Sequence, residues 1–186
     1  MSSGKVLREV TAALDEAGIP YMLTGSFASN IHGTGRATQD IDLVISATAE
    51  QIRKLNGTLP ERYFYDLESA LEALRHRSMF NVLDMEDGWK IDFIFQKAGA
   101  FAQQAFSRRI PAESDGVPVI ASTAEDLIIA KLDWARMGES LRQIDDVAGV
   151  LRARGDQLDL PYIEIWVKEL GLGEEWTDAR NRAATP

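Results

Sequence analysis

The sequence has no cysteine and only two histidines among its 186 residues, and its 29 acidic residues outnumber its 20 basic ones. The lack of cysteine excludes disulfides, thiol catalysis and thiolate metal sites. Two histidines are too few for a histidine-rich zinc site, so any metal is expected to have oxygen ligands. A net charge of −9 disfavours tight, nonspecific binding to a nucleic-acid backbone, which needs many lysine and arginine contacts.

Long hydrophobic runs are also missing. No stretch approaches the ~18 apolar residues expected of a membrane span, and residues 1–5 lack the apolar core of a signal peptide. The composition, 45% hydrophobic and 26% charged, is typical of a globular protein. These features predict a cytoplasmic protein with no membrane partner.

The spacing of apolar residues predicts an α/β (α+β) protein, a mixed sheet flanked by helices and followed by a helical extension. Residues 1–121 are expected to form the sheet-containing domain, and residues 122–177 a helical region packed on it. The tail, 178–186, is predicted to be frayed. In the first part we expect a helix over 5–16, a hairpin formed by 80–84 and 89–95, and a short edge strand at 117–120, whose proline cannot donate to a ladder.

The helical region is predicted to begin with a capping box at Ser122-Thr123-Ala124-Glu125. The next helix, 140–151, is expected to turn Leu141 inward. On the first of these helices Lys131 falls in the middle of an apolar face, where an unpaired ammonium would be costly. Lys131 therefore either snorkels to solvent or meets a carboxylate or phosphate.

Two aspartates at i and i+2 are the most informative pattern. In Asp40-Ile41-Asp42-Leu43-Val44-Ile45 the side chains of a strand alternate, so Asp40 and Asp42 share one face while the apolar residues share the other. Two fixed neighbouring carboxylates raise each other's pKa unless a cation lies between them. Mg²⁺ (or Mn²⁺) is the expected cation, although an isolated Asp-x-Asp pair is usually just a pair of solvated acids.

A turn that suits phosphates precedes this strand. Residues 21–23 read as a short buried strand, Gly25 permits a tight turn, and Ser26 begins a helix. Backbone N–H groups at a helix start attract anions. Gly25 and Ser26 are therefore candidates to bind the phosphates of a nucleotide.

A strand, a glycine-serine turn, a helix start and a strand with Asp-x-Asp together resemble the signature of the nucleotidyltransferase fold, the superfamily of DNA polymerase β and small bacterial nucleotidyltransferases. Proteins of this superfamily usually carry a third carboxylate on a later strand. Asp92, in Lys90-Ile91-Asp92-Phe93, lies where that acid is expected. The resemblance implies that Asp40, Asp42 and Asp92 hold metal.

The chain from about residue 23 to 151 also resembles the AbiEii-type nucleotidyltransferase toxins of abortive-infection systems. The likeness rests on residues 124–132 and 142–151 and on a long loop with His32-Gly33 and Arg36-Ala37-Thr38. In that family a lysine and an aspartate from the helical part complete the active site. By position these are Lys131 and Asp146, although the helical pattern alone predicts Asp146 to be solvated.

These patterns predict a magnesium-dependent enzyme that moves a nucleotide from a nucleoside triphosphate to an acceptor hydroxyl. Lys131 would offset phosphate charge, Arg36 would help at the loop, and His32 is expected to make a structural hydrogen bond. The acceptor stays open between transfer RNA, protein and a small molecule, and a cognate antitoxin is a possible partner of a toxin. Two alternatives are a non-catalytic nucleotide-binding antitoxin or regulatory subunit of the same fold, and an aminoglycoside-type nucleotidyltransferase.

Overall fold

The computed structural model describes residues 2–35, 37–138 and 140–184. Within them a seven-stranded mixed sheet is combined with nine helices. The strands are β1 (Tyr21–Thr24), β2 (Asp40–Ile45), β3 (Tyr63–Phe64), β4 (Met79–Asp84), β5 (Lys90–Phe95), β6 (Ile110–Ser114) and β7 (Val117–Ala121), in the order β3-β4-β5-β2-β1-β7-β6. The expected α/β class is confirmed.

Nine helices accompany the sheet in the described residues. They are α1 (Ser3–Ala17), α2 (Gly25–Ile31), α3 (Ala49–Thr58), α4 (Leu67–His76), α5 (Ala100–Arg108), α6 (Ala124–Gly138), α7 (Leu141–Arg154), α8 (Leu160–Leu170) and α9 (Gly173–Ala184). A short 3₁₀ turn, Gly155–Gln157, follows α7. Within the described ranges, none of these helices is long and apolar enough to cross a membrane.

The centre of the sheet combines parallel and antiparallel pairing. Strand β2 runs parallel to β5 and antiparallel to β1, and β1 runs parallel to β7. On β2 the residues Ile41, Leu43 and Ile45 are fully buried on one face. Because side chains alternate along a strand, Asp42 and Val44 must lie on the opposite face.

Two hydrophobic cores stabilise the chain, one on each side of the α2 segment. The larger core joins α1, α3 and α4 to one face of the sheet and includes Leu14, Leu43 and Phe93. The smaller core lies within α6–α9 and also takes up Ala28 of α2. The two sides of α2 are therefore buried differently, since Phe27 belongs to the larger core.

The prediction of an edge strand at 117–120 is wrong. This segment, β7, lies between β1 and β6, and the edge is formed by β6, which the sequence analysis did not predict. Pro118 is tolerated there because β1 is in register with β7 only at Ala121, while Pro118 faces Glu113 of β6. The missing N–H of proline therefore breaks no ladder bond to β1.

Three details of the helical part also differ from the predictions. The cap of α6 is Thr123, whose Oγ1 accepts from the Asp126 N–H at 3.1 Å, so the predicted Ser122–Glu125 box is wrong. Leu141, expected inward, is 63% exposed because it is the first residue of α7. Residues 178–184, expected to be frayed, continue α9, because Ala179 is fully buried in the smaller core.

Candidate active site

Two of the three predicted carboxylates lie side by side. Asp42 of β2 and Asp92 of β5 are direct partners in the parallel ladder. Adjacent strands are about 4.8 Å apart, so their side chains project as neighbours from the same face of the sheet. Asp92 is only 7% exposed. The sheet register therefore creates a close pair of acids from segments that are 50 residues apart in sequence.

Gly25 packs directly against this pair. It has a φ of 62°, in the left-handed region, and a Cβ added to it would overlap the carboxylate of Asp42. Any other residue at this position would both strain the backbone and displace the acid. The glycine-serine turn therefore packs against Asp42 of the Asp-x-Asp strand.

The Asp42 carboxyl group is poorly compensated. Burial, followed by the neighbouring charge of Asp92, raises its pKa to about 6. The cations of Lys131 and Lys90 act in the opposite direction but do not cancel this effect. Asp42 has no hydrogen bond or ion pair to any other described residue. A carboxylate in this state gains from an added cation.

Asp92 is better compensated than Asp42. Its Oδ1 accepts a short hydrogen bond from the Asn81 side chain, and its Oδ2 lies 3.0 Å from Lys90 Nζ. Neither Asn81 nor Lys90 was predicted as a partner of Asp92. Lys90 was detectable, since it is two residues before Asp92 on the same strand face, but Asn81 enters through the antiparallel register of β4 and β5.

Asp40 lies apart from the pair. Its side chain is 59% exposed, and its Oδ1 is 3.9 Å from Lys90 Nζ, which stands between it and Asp92. In residues 2–35, 37–138 and 140–184, no group of three or more acids and histidines is arranged to hold a metal ion. The pair of Asp42 and Asp92 nevertheless suits Mg²⁺ or Mn²⁺, because it offers oxygen donors and one of these acids lacks a partner.

Lys131 has the carboxylate partner that its place on the helix required. It is 4% exposed, and its Nζ donates to Asp146 Oδ2 at 2.7 Å and to Gln143 Oε1 at 3.1 Å. The interpretation of Asp146 as a solvated acid is therefore wrong, since its side chain is only 13% exposed. The helical periodicity of α7 alone does not predict this contact, because it depends on the packing of α7 against α6. In that packing Gln143 and Asp146, about one turn apart, both contact Lys131.

These groups surround one cleft of about 320 Å³. Its walls come from the turn after β1, from the face of β2, β4 and β5, and from helices α6 and α7. The residues that matter chemically or give the cleft its shape are Gly25, Ser26, Asp42, Asp92, Lys131, Gln143 and Trp134. Asp40 and Asp146 do not line it, and Arg36 lies outside the described residues.

His32 connects the site to the helical part through a structural role, as predicted. Its Nε2 is 2.8 Å from the Ser122 carbonyl oxygen, and Arg154 contacts both its Nδ1, at 3.3 Å, and its backbone oxygen. Burial lowers the pKa of His32. A neutral imidazole then donates from Nε2 and accepts at Nδ1, which fixes α2 against β7 and α7.

The chain has the fold of nucleotidyltransferases. It is similar to ANT(2'')-Ia in complex with adenylyl-2''-tobramycin, with a TM-score of 0.58 and 15% identity over 95% of this chain and 99% of that one. It is also similar to an antigenic nucleotidyltransferase-like protein from Paracoccidioides brasiliensis, with a TM-score of 0.54 and 14% identity over 96% and 93% of the two chains.

A third similar structure is the lincomycin-bound lincosamide antibiotic adenylyltransferase LnuA, with a TM-score of 0.50 and 13% identity over 80% of this chain and 96% of that one. No protein-family model matches the sequence, and the comparison with curated proteins gave no match. At these identities the similarity concerns the fold, so the chemistry has to be argued from the cleft itself.

Proposed function

We propose that this protein is a magnesium-dependent nucleotidyltransferase that moves a nucleoside monophosphate from a nucleoside triphosphate to an acceptor hydroxyl. The observation that carries the proposal is the pair formed by Asp42 and Asp92 against Gly25, with a pKa of about 6 at Asp42. A pair of crowded acids is costly to maintain in a metal-free protein, and it becomes useful when a divalent cation and a triphosphate share the cleft.

In this proposal Asp42 and Asp92 hold the metal ion, which when bound neutralises phosphate charge and orients the triphosphate. Gly25 and Ser26 contact the β- and γ-phosphates through backbone N–H groups and the serine hydroxyl. Lys131, at the side of the same cleft, offsets the negative charge that develops at the phosphate. Asp146 and Gln143 hold the Lys131 ammonium in place, so we assign them a positioning role.

The reaction joins the acceptor to the α-phosphate. The acceptor oxygen attacks the α-phosphorus, the bond from that phosphorus to the bridging oxygen of the β-phosphate breaks, and pyrophosphate leaves with the electron pair. The proton of the acceptor hydroxyl passes to a carboxylate, for which Asp92 is the candidate. The roles of Asp40 and Arg36 stay predictions. Asp40 would have to turn from solvent into the cleft, and Arg36 lies outside the described residues.

A small-molecule acceptor is the better supported of the two candidate substrate classes. ANT(2'')-Ia with adenylyl-2''-tobramycin and lincomycin-bound LnuA hold small molecules, and the similarity extends over 99% and 96% of those chains. The net charge of −9 also disfavours transfer RNA. A toxin of the AbiEii type, with a cognate antitoxin, is the second candidate and rests on the pattern around Lys131 and Asp146.

The proposal is tested by incubating the protein with α-³²P-labelled triphosphates and Mg²⁺, together with a low-molecular-weight cell extract, total transfer RNA or cell protein. We expect label to enter the small-molecule pool, with pyrophosphate released, and to disappear in the Asp42→Asn variant. Label in transfer RNA would support the toxin instead. Triphosphate that neither binds nor reacts with any pool would contradict the proposed function.

A further inference from the structure

An apolar groove opens beside the catalytic cleft. It lies between α5 and α6, above the sheet, and has a volume of about 130 Å³. The groove and the cleft share four lining residues, Thr24, Ile94, Ala130 and Trp134. The groove and the cleft are therefore adjacent but separate sites.

The sheet fixes the distance between the groove and the carboxylates. Val44 and Ile94 line the groove and follow Asp42 and Asp92 by two residues on the same strands. Two residues of a strand span about 6.6 Å, and alternate side chains share a face. A molecule one ring in length that lies over Val44 and Ile94 can thus place a substituent at the acids.

One buried hydroxyl in the groove wall has no partner among residues 2–35, 37–138 and 140–184. Ser122 is 1% exposed, and its Oγ makes no hydrogen bond to any of these residues. Its backbone groups are already used, because its N–H donates to Leu23 and its carbonyl binds His32. Buried polar groups are nearly always paired. The free hydroxyl therefore indicates that a ligand with one polar atom completes this wall.

The two carboxylates that line the groove are already paired, and its lysine, Lys97, is exposed to solvent. Asp126 accepts from Arg108 Nε at 3.1 Å and from the Tyr162 hydroxyl at 2.6 Å. Asp133 accepts from Arg136 at 2.7 Å. A polycationic acceptor would find no free carboxylate here, whereas a neutral apolar group would bury itself without loss.

We propose that the groove is the acceptor subsite, and that it takes the apolar or aromatic ring of a neutral small molecule whose polar atom pairs with Ser122 Oγ. This inference rests on the proposed function and narrows its acceptor to an uncharged, ring-bearing hydroxyl compound. The volume agrees with a single ring, since an apolar cavity of ~150 Å³ in another protein holds benzene.

The experiment uses phenol and toluene as probes of the groove and α,β-methylene-ATP with Mg²⁺ as a probe of the cleft. Binding of the ring is followed by NMR shifts of the Val44 and Ile94 methyl groups. We expect phenol to bind more tightly than toluene, and Ser122→Ala to remove that preference. The affinity for the nucleotide is expected to stay within about twofold when phenol is present, because the two sites are separate.

Two variants on α5 provide the matched comparison. Ala102 is half-buried and lines the groove, so Ala102→Leu fills it and is expected to weaken phenol binding at least tenfold. Gln104 is exposed on the same helix, so Gln104→Leu adds the same side chain outside the groove and is expected to leave binding unchanged. Nucleotide binding that stays normal in both variants shows that they fold.

The other outcomes contradict either the acceptor subsite or the proposed function. Competition between phenol and the nucleotide would mean that the groove holds the nucleobase. Phenol that shifts no groove methyl group, or that is weakened equally by both variants, would overturn the subsite and leave the proposed function intact. Nucleotide that does not bind while phenol does would overturn the proposed function and, with it, the assignment of the groove to an acceptor.

Discussion

Two aspartates near the cleft differ in how their negative charge is compensated. Asp126 at the start of α6 is 1% exposed and is held by Arg108, Thr123 and Tyr162. Asp42 has no such bonds within the described residues, and its nearest acidic neighbour is Asp92. A buried acid with every oxygen paired stabilises the fold. A half-buried acid beside another acid, with no hydrogen bond or ion pair among the described residues, is suited to a ligand.

The largest effect is expected from removing the paired acid. Asp126→Ala removes a fully buried carboxylate that pairs with the Arg108 guanidinium and the Tyr162 hydroxyl. We expect a loss of about 3–5 kcal/mol in the free energy of unfolding, as for other buried pairs that lose one member. Urea denaturation of the variant measures this loss. A change below about 1 kcal/mol would show that the Asp126 network is not structural.

The Lys131 pair is expected to be intermediate, because it serves both the fold and the ligand. Lys131→Met removes the ammonium that pairs with Asp146 and should cost about 2–3 kcal/mol of stability. The double variant with Asp146→Asn is expected to recover most of that stability. Binding of triphosphate should stay weakened by ~1.5–3 kcal/mol in both variants, since the cation is missing.

Calorimetric titration with Mg²⁺ and ATP, alongside urea denaturation, separates these two roles. If the stable double variant bound ATP as tightly as the wild type, Lys131 would be only a structural residue. If Lys131→Met lost no stability, the contact with Asp146 would contribute little to folding.

The smallest change in the free energy of unfolding is expected from replacing Asp42, and this change is a gain rather than a loss. A pKa of about 6 in the folded protein exceeds the ordinary value of an aspartate, so the ionised Asp42 destabilises the fold above pH 6. In the metal-free protein at pH 8, Asp42→Asn should therefore raise the free energy of unfolding by about 1–3 kcal/mol.

The gain should be full above pH 6 and should shrink as the pH falls from 6 to about 4, because the carboxyl of the unfolded wild-type chain then also takes up its proton and the difference between the two states disappears. Asp40→Asn, at the exposed start of the same strand, is the control and should change stability little at either pH. A loss of stability in Asp42→Asn at pH 8 would show that Asp42 has a structural partner.

Local structure was predictable from the sequence wherever it depends on a pattern within one short segment. The strand β2 with alternating acids and the turn at Gly25 depend on neighbours in sequence, and both are present. The nucleotidyltransferase fold was recognised from the order of such segments. Edge and interior strands were confused, because β6 lacks a strong apolar pattern and its pairing with β7 is a tertiary feature.

The candidate site was predictable only in part, for the same reason. Asp42 and Asp92 were expected together, but the sequence does not encode that Asn81 and Lys90 compensate one of them and leave the other free. Asp146 was predicted to be solvated because it lies opposite the apolar stripe of its own helix. The periodicity of one helix carries no information on how α7 packs against α6. The groove at Ser122 is lined by β1, β2, β5, α5 and α6, so no local pattern indicates it.

The most direct test of the account is calorimetric titration of ATP into the protein with Mg²⁺ or with EDTA. The account predicts binding that requires Mg²⁺, that falls roughly 10–100-fold in Asp42→Asn, and that is kept in Asp133→Asn, whose acid is paired with Arg136 outside the catalytic pair. Equal binding of ATP in EDTA and in Asp42→Asn would contradict the claim that the unpaired acid of this cleft is a metal and triphosphate site.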